Sequence, residues 1–170
     1  MSDSGEERTL LRHTLATLAY RAAKALRHVP PGFADYRISP TSRTPLQLVG
    51  HLGDLFDWAN HIADGKWTWA ANSIGEWDAE VDRFFRLLGR LDERLASERP
   101  LGNPAGAIFQ GPIADALTHV GQLNMIRGAM GSPVRPESYG RAAIRVGQVG
   151  RDQPAPKAEY DGDASARRPG

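Results

Sequence analysis

Two histidines and one aspartate have the residue types and the spacing that a divalent metal ion needs. His51 lies three residues after Leu48 and four before Leu55, so a helix through this segment places it on the apolar side. Asp115 lies four residues before His119, and residues four apart share one helix face with β-carbons ~6 Å apart. Two ligands from one helix and one from a facing helix are a common metal site in helical proteins, so these three residues are predicted to bind metal.

Such a site has two imidazoles and one carboxylate, with open positions for water or substrate. Open coordination is typical of catalytic zinc, nickel, iron or manganese, whereas a structural site is usually closed by a fourth protein ligand. The chain has no cysteine, which excludes disulfides, thiolate ligands and a cysteine nucleophile, so any reacting thiol must come from a substrate. The alternative is that His51 and His119 are half-buried core histidines whose salt-bridge partner is Asp115.

Apolar residues recur at helical spacing in four segments, which predicts an all-α fold. The first segment covers about residues 6–29 and ends at Pro30-Pro31-Gly32; its predicted buried face comprises Leu10, Leu11, Thr14, Leu15, Leu18, Ala22 and Ala25. The second has Thr44 as N-cap and Pro45 as its first residue, and it ends at Asp64-Gly65. The third covers about residues 75–97, and the fourth begins around Pro112 and ends before Gly128.

The segments and their connections predict a four-helix bundle over residues 1–131, followed by an irregular extension. The chain length of 170 residues fits one domain. From Ser132 onward, glycine and proline are too dense for another long helix. We expect residues 132–170 to form a tail that packs on the bundle, with residues 142–149 extended along it. The small and charged residues 161–170 are expected to be disordered.

Charge and motifs narrow the classes of function. The 21 basic and 20 acidic residues give a net charge of +1 without an aromatic-interleaved basic patch, which argues against nucleic acid as a partner. There is no phosphate-binding loop of the Gly-Lys-Ser or Gly-Lys-Thr type and no Gly-x-Ser-x-Gly elbow. The polar first residues and the absence of a long apolar run predict a cytoplasmic protein that does not insert into membranes.

Three other side chains are candidates for the surroundings of the site, each with an alternative. His13 either borders the pocket, together with neighbouring polar residues of the first helix, or is a surface histidine. Asp54, three residues after His51, either supports a ligand or belongs to a solvated face. Trp58 either forms part of the apolar wall of a cleft or serves core packing.

Two motifs resemble those of the DinB-like family. Residues 111–123 read Gly-Pro-Ile-Ala-Asp-Ala-Leu-Thr-His-Val-Gly-Gln-Leu. This run is similar to the last-helix motif of that family, His-x-x-x-His followed by a small residue and Gly-Gln. His51-Leu52-Gly53-Asp54, in a helix that begins with proline, is similar to the second-helix motif. The resemblance covers about residues 6–131 and implies a DinB-like four-helix bundle.

The resemblance also implies roles for individual residues. His51 and His119 match two of the three metal-binding positions of the family, and Asp115 falls on the third, where the usual residue is histidine. Aspartate there implies either a two-histidine-one-carboxylate site with a different metal preference or a branch that has lost the metal. Gln122 matches the glutamine of the motif and is expected to orient a ligand or a bound water.

Characterised members of the family include thiol-dependent transferases and isomerases in which a metal activates a low-molecular-weight thiol. The resemblance therefore implies a divalent-metal-dependent enzyme with a small-molecule substrate, acting as an S-transferase or, as the nearest variant, a hydrolase. It also favours a homodimer. The alternative is a non-catalytic helical dimer whose His/Asp cluster is structural or binds a small ligand.

Overall fold

A computed structural model describes residues 5–160, and within them the chain is all-α. The elements are α1 (Gly5–Leu26), α2 (Pro45–Ala63), α3 (Trp77–Ala96), α4 (Ala105–Ile108) and α5 (Ala114–Ala129), with short 3-10 turns at Phe33–Asp35 and Tyr139–Arg141. A π-helical turn at Phe109–Ile113 joins α4 to α5 in one continuous helical segment. Over residues 5–160 there is no strand, only an isolated bridge between Glu137 and Glu159. None of these helices has both the length and the apolar character that a membrane crossing requires.

The helices surround one apolar core. α1 and α2 each pack against α3 and against α5, so α3 and α5 lie between them. Every helix contributes apolar side chains to the core, in which Phe56 and Phe84 are fully buried with rings 5.6 Å apart. This packing holds α2 beside α5, the two helices that carry the predicted ligands.

The start of α2 confirms the predicted cap and adds a second interaction to it. The Thr44 side chain accepts a hydrogen bond from the Gln47 backbone at 3.2 Å, and the Gln47 side chain accepts one from the Thr44 backbone at 2.9 Å. This reciprocal capping box satisfies two backbone N–H groups at the start of the helix. Pro45 has no backbone N–H, so it adds no unsatisfied donor there. The end at Asp64-Gly65 is also confirmed, with Gly65 at φ 85°.

Three boundaries or faces differ from the prediction. The predicted buried face of α1 is wrong at Leu10, which is 67% exposed because it lies one position away from the buried Leu11. α1 ends at Leu26 rather than near residue 29, and His28 adopts φ 51°, a left-handed conformation that turns the chain before the prolines. The last helical segment begins at Ala105 rather than around Pro112, because a π turn accommodates a proline, which lacks the N–H, inside a helix.

Residues 132–160 form an irregular tail that is anchored at several points. Val149 is 9% exposed and belongs to the core cluster, and Arg151 binds Asp78 and Asp82 of α3. Residues 142–149 contain neither helix nor strand. The predicted disorder of residues 161–170 lies outside the described part of the chain.

A buried ionic cluster fastens the tail to α1. The Lys24 ammonium contacts Glu137 at 2.7 Å and Glu159 at 2.8 Å, and Tyr20 donates its hydroxyl proton to Glu137 at 2.8 Å. The Glu137 side chain is fully buried. Burial, followed by the hydrogen bond to Glu137, raises the pKa of Tyr20 above its usual range, so the hydroxyl stays protonated as a donor.

Candidate metal centre

The three predicted ligands converge between α2 and α5. His51 Nε2 lies 3.2 Å from Asp115 Oδ2, and His119 Nε2 lies 3.2 Å from Asp115 Oδ1. The two imidazole rings stand edge to face with centroids 4.9 Å apart. The α-helical spacing of four therefore aligns Asp115 with His119, and the packing of α2 on α5 adds His51 from across the interface.

The donor atoms lie close enough together to share one metal ion. One ligand atom of each residue can be chosen so that all three lie within 4.8 Å of one another. The two 3.2 Å contacts reach different oxygens of the Asp115 carboxylate, Oδ2 from His51 and Oδ1 from His119. His119 is buried, whereas the Asp115 side chain is 46% exposed, so the centre is open to solvent on the aspartate side. The donor set thus suits a divalent cation with an accessible coordination position.

Gln122 gives a second reason to place a cation beside His119. With its amide oriented so that Oε1 faces the ring, Gln122 accepts a hydrogen bond from His119 Nδ1 at 2.9 Å. A neutral imidazole that donates from Nδ1 has a lone pair on Nε2, and this lone pair faces the Asp115 carboxylate. Two acceptors that face each other need a proton or a cation between them. A metal ion supplies that charge, while the alternative is a doubly protonated ring or a flipped Gln122 amide.

His51 is the candidate ligand whose pKa is most clearly affected by its surroundings. Burial lowers the pKa of His51 and electrostatic interactions with His119 and Arg43 lower it further, against the opposing effect of the hydrogen bond to Asp115. The neutral imidazole, which is the form that binds metals, is therefore favoured at neutral pH.

Two tryptophans lie close to His51. The Trp69 ring lies 5.7 Å from the His51 ring, and Trp58 lies 5.6 Å from Trp69 at 90°. Trp58 also packs on Gly111 of the π turn, where an added β-carbon would lie 3.1 Å from the indole. Trp58 also packs against the core cluster, so core packing is one of its roles, and Gly111 lets its indole approach the helical segment that carries Asp115.

Asp54 is not part of a solvated face, because it is only 6% exposed. It accepts hydrogen bonds from Arg83 at 3.0 Å and from the Asn72 side chain at 2.9 Å. Arg83 also binds Glu80 at 2.8 Å, and Glu80 accepts from the Gly75 backbone. These contacts hold the loop of residues 66–76, which carries Trp69, so Asp54 acts on the site through the loop.

Arg83 and the π turn were not identified as parts of the site from sequence. Glu80 and Arg83 are three residues apart on α3, a spacing typical of helix ion pairs, and this spacing was the sequence signal available for Arg83.

His13 is exposed on α1 and lines a different cavity, together with Thr9 and Val146. The structure therefore brings together the three predicted ligands, Gln122 and a tryptophan wall, and it leaves His13 elsewhere.

This arrangement can hold one divalent cation and leave room for a ligand from solvent. The candidate ligand atoms come from two helices that the core fixes side by side. The aromatic wall stands on one side, and the exposed edge of Asp115 on another. No family model, curated protein or solved structure matches the chain.

Proposed function

We propose that this chain is a divalent-metal-dependent enzyme of the DinB-like four-helix-bundle type that transfers a small thiol to an electrophile. Hydrolysis is the nearest variant. The observation that carries the proposal is the meeting of two imidazoles and one carboxylate at 3.2 Å spacings beside a solvent-accessible opening. The absence of cysteine and the two sequence motifs support it.

Each residue of the centre has a distinct task. His51, Asp115 and His119 hold the ion, and Gln122 fixes the ring orientation of His119 through Nδ1. A bound divalent ion would lower the pKa of a coordinated thiol or water and so generate a nucleophile at neutral pH. Trp69 packs edge to face against His51 and so gives one side of the centre an aromatic lining.

The experiment is a measurement of metal content by plasma emission on protein purified without an affinity tag. Wild type is compared with His51→Ala and His119→Ala after incubation with zinc, nickel, manganese or ferrous iron and removal of the excess. His13→Ala is the matched control, because it removes an exposed histidine outside the centre. We expect about one ion per chain in wild type and in the control, and a loss of that ion in both ligand variants.

Retention of the ion in His119→Ala, or no bound ion in wild type with any of the four metals, would contradict the proposal. A positive result is followed by screening small thiols against electrophiles with the preferred metal. Circular dichroism of each variant shows whether loss of metal accompanies an intact helical fold.

The second candidate function is a non-catalytic helical dimer with a structural His/Asp cluster. The observation in its favour is that Asp115 lies within hydrogen-bonding distance of both histidines, so the three side chains can satisfy one another directly. In that case His119→Ala leaves partners unsatisfied and costs about 1–3 kcal/mol of stability, with no metal bound in wild type. Urea unfolding of wild type and variant, with and without chelator, separates the two candidates.

We also propose that the chain is a cytoplasmic homodimer. Leu10 and Phe109 are 67% and 48% exposed and line the same apolar groove between α1 and α4. Apolar side chains grouped at a surface are typical of protein contacts. Sedimentation velocity at micromolar concentration measures the mass, and a monomer under these conditions would contradict the dimer.

A further inference from the structure

A cavity opens beside the metal centre at His119. It has a volume of about 370 Å³ and lies between α5, the first turn of α2 and the connection that precedes α2. Leu48, Met125 and Ile126 form most of its apolar lining, while His119 and Gln122 reach it from α5. A molecule in this cavity therefore contacts a candidate metal ligand directly.

Arg43 lies at the rim of this cavity and has no partner within the described chain. Over residues 5–160 its guanidinium makes no hydrogen bond and no ion pair, and none of the described residues that line the cavity is acidic. Unpaired arginine side chains are common on protein surfaces, but this one borders an apolar cavity that reaches His119. Its five donors are available for a ligand.

The backbone beside Arg43 is well anchored. Ser42 and Ser39 hydrogen-bond to each other, with the Ser42 hydroxyl donating to the Ser39 carbonyl at 2.9 Å. Arg37 donates to the Ser42 carbonyl, and Thr44 caps α2. The guanidinium therefore extends from a fixed point, which reduces the entropy lost when it binds a ligand.

We propose that this cavity is the substrate subsite of the metal centre and that it binds a small organic carboxylate. The apolar part of the ligand packs on Leu48 and Met125, and the carboxylate pairs with Arg43. The proposal rests on the function proposed above, since the cavity is a substrate site only if the neighbouring centre is reactive. A carboxylate is favoured because the planar guanidinium binds it through two parallel hydrogen bonds.

The experiment uses 3-phenylpropionate as the probe and 3-phenylpropanamide as its neutral counterpart. Binding to the full chain, treated with chelator, is followed at low salt by changes in the backbone amide signals in NMR spectra. The variants are Arg43→Gln, Arg43→Lys and Met125→Asp, which puts a negative charge on an exposed lining residue. Arg86→Gln is the matched control, because it removes an exposed charge from α3 and does not line the cavity.

We expect the carboxylate to bind and to shift the amide signals of Ile38 and Met125. Arg43→Gln weakens its binding about tenfold, whereas Arg43→Lys has a smaller effect and the control has none. Met125→Asp weakens the carboxylate more than the amide, and added salt does the same. Absence of carboxylate binding, equal binding of acid and amide, or equal effects of Arg43→Gln and the control overturns the proposal.

Metal content is measured separately, without the probe, so failure of the two proposals is distinguishable. Metal binding without carboxylate binding leaves the metal centre in place and removes the subsite. If the carboxylate binds but the separate measurement finds that wild type takes up no metal ion, both the enzymatic function and the role of the cavity as a substrate subsite are overturned.

Discussion

Replacing Arg83 by methionine tests whether the loop beside the candidate metal centre is held by buried charges. The Arg83 side chain is 17% exposed and joins Asp54 and Glu80, which are 8% and 6% exposed. It also donates to the Gly50 carbonyl at 2.7 Å. Methionine keeps much of the apolar stem and removes the charge, so Asp54 and Glu80 are left without their cation.

The expected loss of stability follows from the burial of these groups. Removal of one partner from a buried ion pair costs about 3–5 kcal/mol, and the partial exposure of Arg83 places this case near 3 kcal/mol. In a chain of 170 residues, each kcal/mol lowers Tm by about 2–4 °C, so we expect a decrease of about 6–12 °C. Arg86→Met on the exposed side of α3 is expected to cost less than about 0.5 kcal/mol.

Urea unfolding and tryptophan fluorescence measure the two consequences, the loss of stability and the loosening of the loop that carries Trp69. A triple variant, Arg83→Met with Asp54→Asn and Glu80→Gln, should recover at least half of the lost stability. Its amides keep acceptors for Asn72 and Gly75 without the unpaired charges. The reasoning is refuted if Arg83→Met costs no more than Arg86→Met, or if the triple variant is as unstable as the single one.

Two further predictions concern pH and the tail. Because burial lowers the pKa of His51, the unfolded chain takes up a proton at this residue first as pH falls, near its ordinary pKa of about 6.5. The free energy of unfolding of the metal-free protein should therefore decrease as the pH is lowered below about 6.5, and this decrease should be smaller in His51→Ala. Urea unfolding at several pH values measures both decreases, and equal decreases would exclude this residue as the cause. Lys24→Met leaves the buried Glu137 carboxylate uncompensated, which should cost about 3 kcal/mol or more. Limited proteolysis should then cleave within residues 133–160 before the rest of the chain, and an unchanged cleavage pattern would show that the ion pair does not hold the tail.

Local signals in the sequence predicted much of the helical framework. The Thr44-Pro45 start and the Asp64-Gly65 end depend on hydrogen bonds within a few residues, so residue type and order are sufficient to locate them. The grouping of His51 with Asp115 and His119 followed from spacing on two helices and from the motif. It required only that the two helices face each other.

Features that depend on distant partners could not be predicted in the same way. Asp54 is buried because Arg83 reaches it from α3, 29 residues away, and no local pattern records that contact. Glu137 is buried in the irregular tail because Lys24, 113 residues earlier, neutralises it. Leu10 is apolar like the core residues, but it lines a groove between α1 and α4 that is open to solvent. Burial of a charged residue, or exposure of an apolar one, is decided by tertiary packing.

The π turn lets the bundle hold one more residue between α4 and α5 than a regular helix would. Ile108 and Ile113 are both fully buried although they are five residues apart, a spacing that a regular α-helix cannot keep on one side. The wider turn absorbs the extra residue, so the helix after it stays in phase with α4, and Asp115 and His119 still face α2. Loss of the exposed Gln110 would bring the two isoleucines to a spacing of four, which a regular α-helix keeps on one face. The candidate metal centre is thus compatible with two lengths of this segment, because the turn takes up the difference before the ligand pair is reached.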